Sequence, residues 1–118
     1  MEVQVETVDA VLAIEGIEHL TLLKVDAEGH ELAVLRGARR AIEAGKIDVV
    51  QFEFNEMNVA SRVFFKDFYD ALPGFSFYRM VVDGLVPIGE YQPRSHEIFI
   101  WQNVVAIRRD FEGRSKLT

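Results

Sequence analysis

Leu20-Thr21-Leu22-Leu23-Lys24-Val25-Asp26-Ala27-Glu28-Gly29-His30-Glu31 is the stretch that decides how this chain folds. Leu20 to Val25 is a near-continuous apolar run, the pattern of a strand buried on both faces. From Glu28 to Ala44 the period changes. Leu32, Leu35, Ala38, Ala41 and Ile42 recur at helical spacing, and Arg36, Arg39, Arg40 and Glu43 fill much of the other side. Acids open this predicted helix and bases follow, which suits its macrodipole. Gly45 is the expected C-terminal stop. Gly37 inside the helix costs up to about 1 kcal/mol relative to Ala, a cost that a close approach of helix to sheet would explain.

Working outward, Ile47 to Phe54 reads as the next buried strand. Two buried strands joined by a helix and short loops form a βαβ unit, so the pair is predicted parallel with a right-handed crossover. Val59 to Leu72 predicts a second helix, with Val59, Val63, Phe64, Phe68 and Leu72 on one side and Pro73-Gly74 ending it. The pattern then changes to a hairpin. Phe75 to Val82 and Leu85 to Ile88 flank Asp83-Gly84, a type I′ signal. A polar loop from Gly89 to His96 follows, then two apolar segments, Ile98 to Trp101 and Val104 to Ile107, of which at least the second should be a strand. Upstream, Val3 to Val8 alternates like a half-buried strand, and Asp9 to Glu15 suggests a short helix with Asp9 as N-cap and Gly16 as its end. The polar tail from Asp110 to Thr118 is expected to fray. The chain thus reads as one α/β domain: a parallel βαβ unit followed by an antiparallel hairpin and a closing strand.

Composition narrows the function. The 118 residues suffice for one domain with a real core, and 49% hydrophobic with 27% charged residues is a globular balance. A net charge of −6 argues against a nucleic-acid partner. No apolar run approaches the roughly 18 residues of a membrane span. Glu2, Glu6 and Asp9 at the N-terminus are unlike a signal peptide, so a cytoplasmic location is the default expectation. With no cysteine there is no disulfide, thiolate metal site or cysteine nucleophile.

The candidate site lies at the strand tip. In open α/β sheets ligands bind beyond the carboxyl ends of the strands. Asp26 and Glu28 stand there as a base, a polar anchor or metal ligands; the competing reading is helix capping and dipole compensation. Asp26, Glu28 and Glu31 do not make a calcium loop, because that motif needs a twelve-residue loop and this segment runs straight into a helix. No metal is expected. A carboxylate at Glu53, inside Val49-Val50-Gln51-Phe52-Glu53-Phe54, is costly to bury unless paired. The βαβ geometry sets it at the same sheet edge as Asp26. His30, on the first helical turn, is close enough to the acids to join a site, although a plain surface role suits it better. His19, His30 and His96 have no zinc-ligand spacing. Ser61, Ser76, Ser95 and Ser115 sit in no nucleophile elbow. The cluster Phe64-Phe65 and Phe68-Tyr69 reads as core. No glycine-rich loop follows a strand, so neither a phosphate cradle nor a dinucleotide fingerprint is present.

Leu22 to Glu31, followed by Val34-Leu35-Arg36-Gly37-Ala38, resembles the signature of FkbM-type methyltransferases. That pattern is an apolar strand, Lys-(Ile/Val)-Asp-x-Glu-Gly, a further Glu, then Leu-(Lys/Arg)-Gly-Ala. It continues with a strand ending in an acid, here Val49 to Glu53. Val5-Glu6-Thr7-Val8-Asp9 resembles the segment leading into the motif, with Val8 in place of the usual Leu. Glu97-Ile98-Phe99 and Asn103 to Ile107 resemble the closing strand of some members. The resemblance implies a Rossmann-like sheet and an S-adenosylmethionine-dependent methyltransferase acting on a hydroxyl oxygen of a small molecule or glycan. By the same resemblance, Asp26 and Glu28 lie near the transferred methyl group and the cofactor, and any of Asp26, Glu28, His30 or Glu53 deprotonates or orients the acceptor.

The family's first strand with its glycine-rich cofactor loop, and its second strand with a ribose-binding acid, have no counterpart in these residues. The expectation is therefore a C-terminal half of the domain, inactive alone and binding S-adenosylmethionine weakly or not at all. Leu20 to Val25 would lose its family neighbour and present an edge open to a homodimer or to the missing N-terminal half, unless Val3 to Val8 covers it. The alternative is a stand-alone regulatory or interaction module. Its receiver-domain version fails, because the acid pair, Asp and Lys that such domains need are not in register.

Overall fold

The computed structural model describes residues 4–114. Its centre is β2 (Ile47–Phe54), which pairs in parallel with β1 (Leu20–Val25) on one side and antiparallel with β5 (Gln102–Arg108) on the other. β3 (Phe75–Val81) lies beyond β5, and β4 (Gly84–Pro87) closes the five-stranded order β1-β2-β5-β3-β4. The parallel βαβ unit, the hairpin and the closing strand all form as the sequence predicts. Alternation along β2 turns Val50, Phe52 and Phe54 to one face, beside Val104 and Ala106 of β5 and Phe75 and Phe77 of β3. Helices cover that face. Leu32 and Leu35 come from α2 (Glu31–Arg36), Ala41 and Ile42 from α3 (Arg39–Glu43), and Phe65 and Phe68 from α5 (Phe65–Ala71). The Phe52 and Phe68 rings stack with centroids 4.2 Å apart, so the Phe64 to Tyr69 segment is core at Phe65 and Phe68 while Phe64 itself is exposed.

Several local expectations are corrected. Gln4 to Thr7 is not a strand, and Val3 lies outside the described residues. The Thr7 hydroxyl accepts from the Ala10 N–H at 3.1 Å and so caps α1 (Val8–Glu15), which commits the segment to a helix entry. Asp9 therefore does not cap its own helix. The predicted helix from Glu28 to Ala44 is two helices, broken at Gly37-Ala38. The break frees N–H groups at the start of α3, and Asp9 accepts from Arg40 N at 2.9 Å and Ala41 N at 3.0 Å. A Cβ on Gly37 would stand 3.2 Å from Thr7 Cβ, so the close approach is to the N-terminal segment and not to the sheet.

The helix predicted from Val59 to Leu72 is also two, α4 (Met57–Ser61) and α5, because Arg62 turns left-handed at φ 58°. Glu97 accepts from Phe65 N at 2.6 Å and Lys66 N at 3.1 Å, capping α5 from a distant part of the chain. The hairpin turn is not type I′. Val81 pairs with Gly84, leaving Val82-Asp83 as the turn, and neither has positive φ. Residues Arg109–Arg114 form a helix where fraying was expected; 115–118 lie outside the described residues.

β1 is an edge strand and is not buried on both faces: Leu22 is 51% exposed. At the opposite end of the sheet from the acids, buried Asp48 accepts from Arg108 at 2.5 Å and meets His19 at 2.6 Å. Burial pushes the Asp48 carboxyl up, but its hydrogen bonds and charge contacts with Arg108 and His19 outweigh this and hold it below the usual carboxylate range.

Candidate active site at the carboxyl ends of β1 and β2

The turn after β1 is built around Glu31. Its carboxylate is 1% exposed and folds back on the loop, with Oε2 accepting from Ala27 N and Oε1 from Gly29 N, both at 2.9 Å. This clasp bends the chain sharply. Glu28 adopts φ 46° and Gly29 φ 96°, so the helix starts at Glu31 and not at Glu28. The left-handed conformation suits Gly29, and so does space: a Cβ there would lie 3.3 Å from the Met57 carbonyl oxygen. The loop after β1 thus docks against the start of α4. That second loop has its own ties, with Asn58 Oδ1 accepting from Asn55 N at 3.0 Å and Asn55 Oδ1 from Met57 N at 2.8 Å.

The clasp leaves Asp26 and Glu28 exposed at the strand tip, without an ion pair among the described residues. Val25 pairs with Phe52, which sets Asp26 beside Glu53. Asp26, Glu31 and Glu53 each offer a carboxylate oxygen within 4.8 Å of the others. The convergence of Asp26 and Glu53 at one sheet edge is as the sequence predicts. Glu53 is partly buried, and its carboxyl is pushed above its ordinary value by burial and then by the charges of Asp26, Glu31 and Glu28, with Lys24 opposing.

Three acids at this spacing also resemble a cation site, which the sequence reading did not expect. Both Glu31 oxygens are already engaged by backbone N–H groups, however, and that use explains its place in the group. His30 is exposed and makes no side-chain hydrogen bond or ion pair among the described residues, so its imidazole is not drawn into the cluster.

Glu31 as a clasp escaped the sequence reading, because it depends on the left-handed turn at Glu28 and Gly29. So did His96, assessed there only for zinc spacing. It is buried, 2.9 Å from the Tyr69 hydroxyl, with Nδ1 2.9 Å from Gln92 O. The Tyr69 hydroxyl donates to Gly89 O at 2.7 Å and that of Tyr91 to Glu97 at 2.6 Å, tying the loop after β4 to α5. Burial raises Tyr69 to about 12, and the Glu97 hydrogen bond followed by burial raises Tyr91 to about 12, so neither phenol is a base near neutral pH.

No helix among the described residues is long and apolar enough to cross a membrane. The methyltransferase FkbM domain profile matches residues 1–79, which include both strand tips, the Glu31 clasp and helices α1 to α5. Neither the curated proteins nor the solved structures give a match. The profile covers well over half of the chain and contains every acid of the strand-tip cluster; the chain belongs to the FkbM methyltransferase domain family.

Proposed function

We propose that this domain serves the transfer of a methyl group from S-adenosylmethionine to a hydroxyl oxygen of a small-molecule or glycan acceptor. The observation that carries the reading is the meeting of Asp26 and Glu53 at the ends of adjacent parallel strands, with the Glu53 carboxyl raised. The exposed, unpaired carboxylates of Asp26 and Glu28 fit a positively charged sulfonium donor. When bound, that donor supplies an electrophilic methyl group. The chain's residues do the positioning: Asp26 and Glu28 hold the cationic end, and Glu53 accepts the hydroxyl proton as the acceptor oxygen takes the methyl group. Such a displacement needs alignment and a base. A glycine-rich cofactor loop is not among these residues, and we assign it to a further segment, in cis or in trans.

The test is methyl transfer assayed with that segment present. Asp26→Asn is expected to lower kcat by a factor on the order of 10²–10³, the usual loss when one preorganised electrostatic contact is removed. Full activity in this variant would return Asp26 to a structural role at the turn.

A further inference from the structure

A cavity of about 580 Å³ lies between α1 and the α2–α3 segment. Two contacts hold its walls in place: Thr7 stands against Gly37, and Asp9 ties α1 to Arg40 and Ala41. The floor is apolar. Leu12 and Ala41 are buried there, and Ile17 adds to the wall. Three cations stand around it, Arg36, Arg40 and Lys46. All three are exposed, and none of their side chains has a hydrogen bond or ion pair among the described residues. In a chain with 19 acids against 13 Lys and Arg, cations should readily find partners. Arg39, beside Arg40, does so and pairs with Glu43 at 2.9 Å. Asp9 is the acid among the lining residues, and each of its oxygens is taken by a backbone N–H, at Arg40 and at Ala41. Positive charge thus gathers around an apolar cavity with no free counter-charge in its lining.

We propose that this cavity binds a phosphate monoester that carries a small apolar group. The site is separate from the strand tips: Lys46 directly precedes β2, whose other end carries Glu53, so the proposal does not depend on methyl transfer. The volume lies within the roughly 300–1,000 Å³ of small-molecule sites. A nucleic acid would need an extended basic surface, which a chain of net charge −6 with one such cluster does not offer. Three cations around one cavity match a dianion better than a monoanion. A carboxylate fills one guanidinium fork and leaves the other cations unused, whereas a phosphate monoester presents three oxygens and nearly two charges near neutral pH. Arg36 and Arg40 supply forked donors for those oxygens, and Lys46 adds a point charge. The apolar group rests on Leu12, Ile17 and Ala41, removing apolar surface from water. Because the cations are exposed, salt screens each contact and the affinity is modest.

The test is an NMR titration of the 118-residue chain with phenyl phosphate, set against inorganic phosphate and phenyl sulfate at the same mildly alkaline pH and low ionic strength. Phenyl phosphate should move the backbone amide signals of Ala13 and Ala44, which line the cavity, with a dissociation constant on the order of 0.1–1 mM. Inorganic phosphate lacks the apolar group and phenyl sulfate carries a single charge, so each should bind about fivefold or more weakly. Arg40→Gln and Lys46→Gln change exposed side chains and should each weaken phenyl phosphate about threefold or more. Arg39→Gln removes the same charge from a residue that pairs with Glu43 and does not line the cavity, and should leave binding unchanged. Absence of saturable shifts at Ala13 and Ala44, equal binding of the three probes, unaltered binding in both cavity variants, or an equal loss in Arg39→Gln would overturn the proposal. The titration contains no methyl donor, so its outcome is independent of Asp26-dependent methyl transfer.

Discussion

Glu53 holds its proton to higher pH in the folded chain than in the unfolded one, because burial and then the charges of Asp26, Glu31 and Glu28 disfavour its carboxylate. The sign of the stability effect follows. Between the ordinary value of 4.5 and the raised one, the native state binds more protons, so stability falls as pH rises through that window. Glu53→Gln removes the charge and keeps the shape. The variant should be more stable than the parent at neutral pH, and its advantage should vanish below the ordinary glutamate range. Urea melts across pH measure this; a parent that is the more stable at neutral pH would mean that a partner stabilises the ionised carboxylate. Asp26 and Glu53 could be read as neighbours from the sequence alone, since parallel strands joined by one helix end at one edge. The clasp by Glu31 could not, because it depends on the turn at Glu28 and Gly29.

At the scale of elements, the connection between α1 and α3 is the least obvious feature. Asp9 accepts two N–H groups from the start of α3 while Thr7 caps α1. Asp9→Ala should cost about 1 kcal/mol, the usual loss for a removed cap. Hydrogen exchange should show protection falling in α1 and α3 and unchanged in β2. Uniform loss across the sheet would mean that Asp9 supports the whole fold and not this one junction. Both long predicted helices broke for related reasons. Apolar periodicity continues through Gly37 and Arg62, but the chain turns at each, and a carboxylate from elsewhere caps the helix that follows. Periodicity records which residues face the core, not whether the backbone between them is continuous.

For the whole molecule, the sheet ends on β1, which among the described residues is paired on one side only. Its apolar run suggested full burial, yet Leu22 is 51% exposed, so the strand carries the residues of an interior strand at an edge. Such an edge is a template for pairing with another chain. Self-association is expected, seen as a mass that rises with concentration in light scattering. Leu22→Lys should weaken it about tenfold or more. A parent that stays a monodisperse monomer would count against this use of the edge.

The sequence by itself determined the α/β class, the parallel pairing of β1 with β2, the hairpin and the gathering of acids at one sheet edge. These follow from hydrophobic periodicity and from the breaks between apolar runs, which are local. Tertiary structure alone decided where helices break, which carboxylate caps which helix, and how exposed β1 is. The physical reason is separation along the chain. The partners in these contacts lie far apart, as Asp9 and Arg40 do at 31 residues, and only the closing of the sheet and its helices brings them within reach.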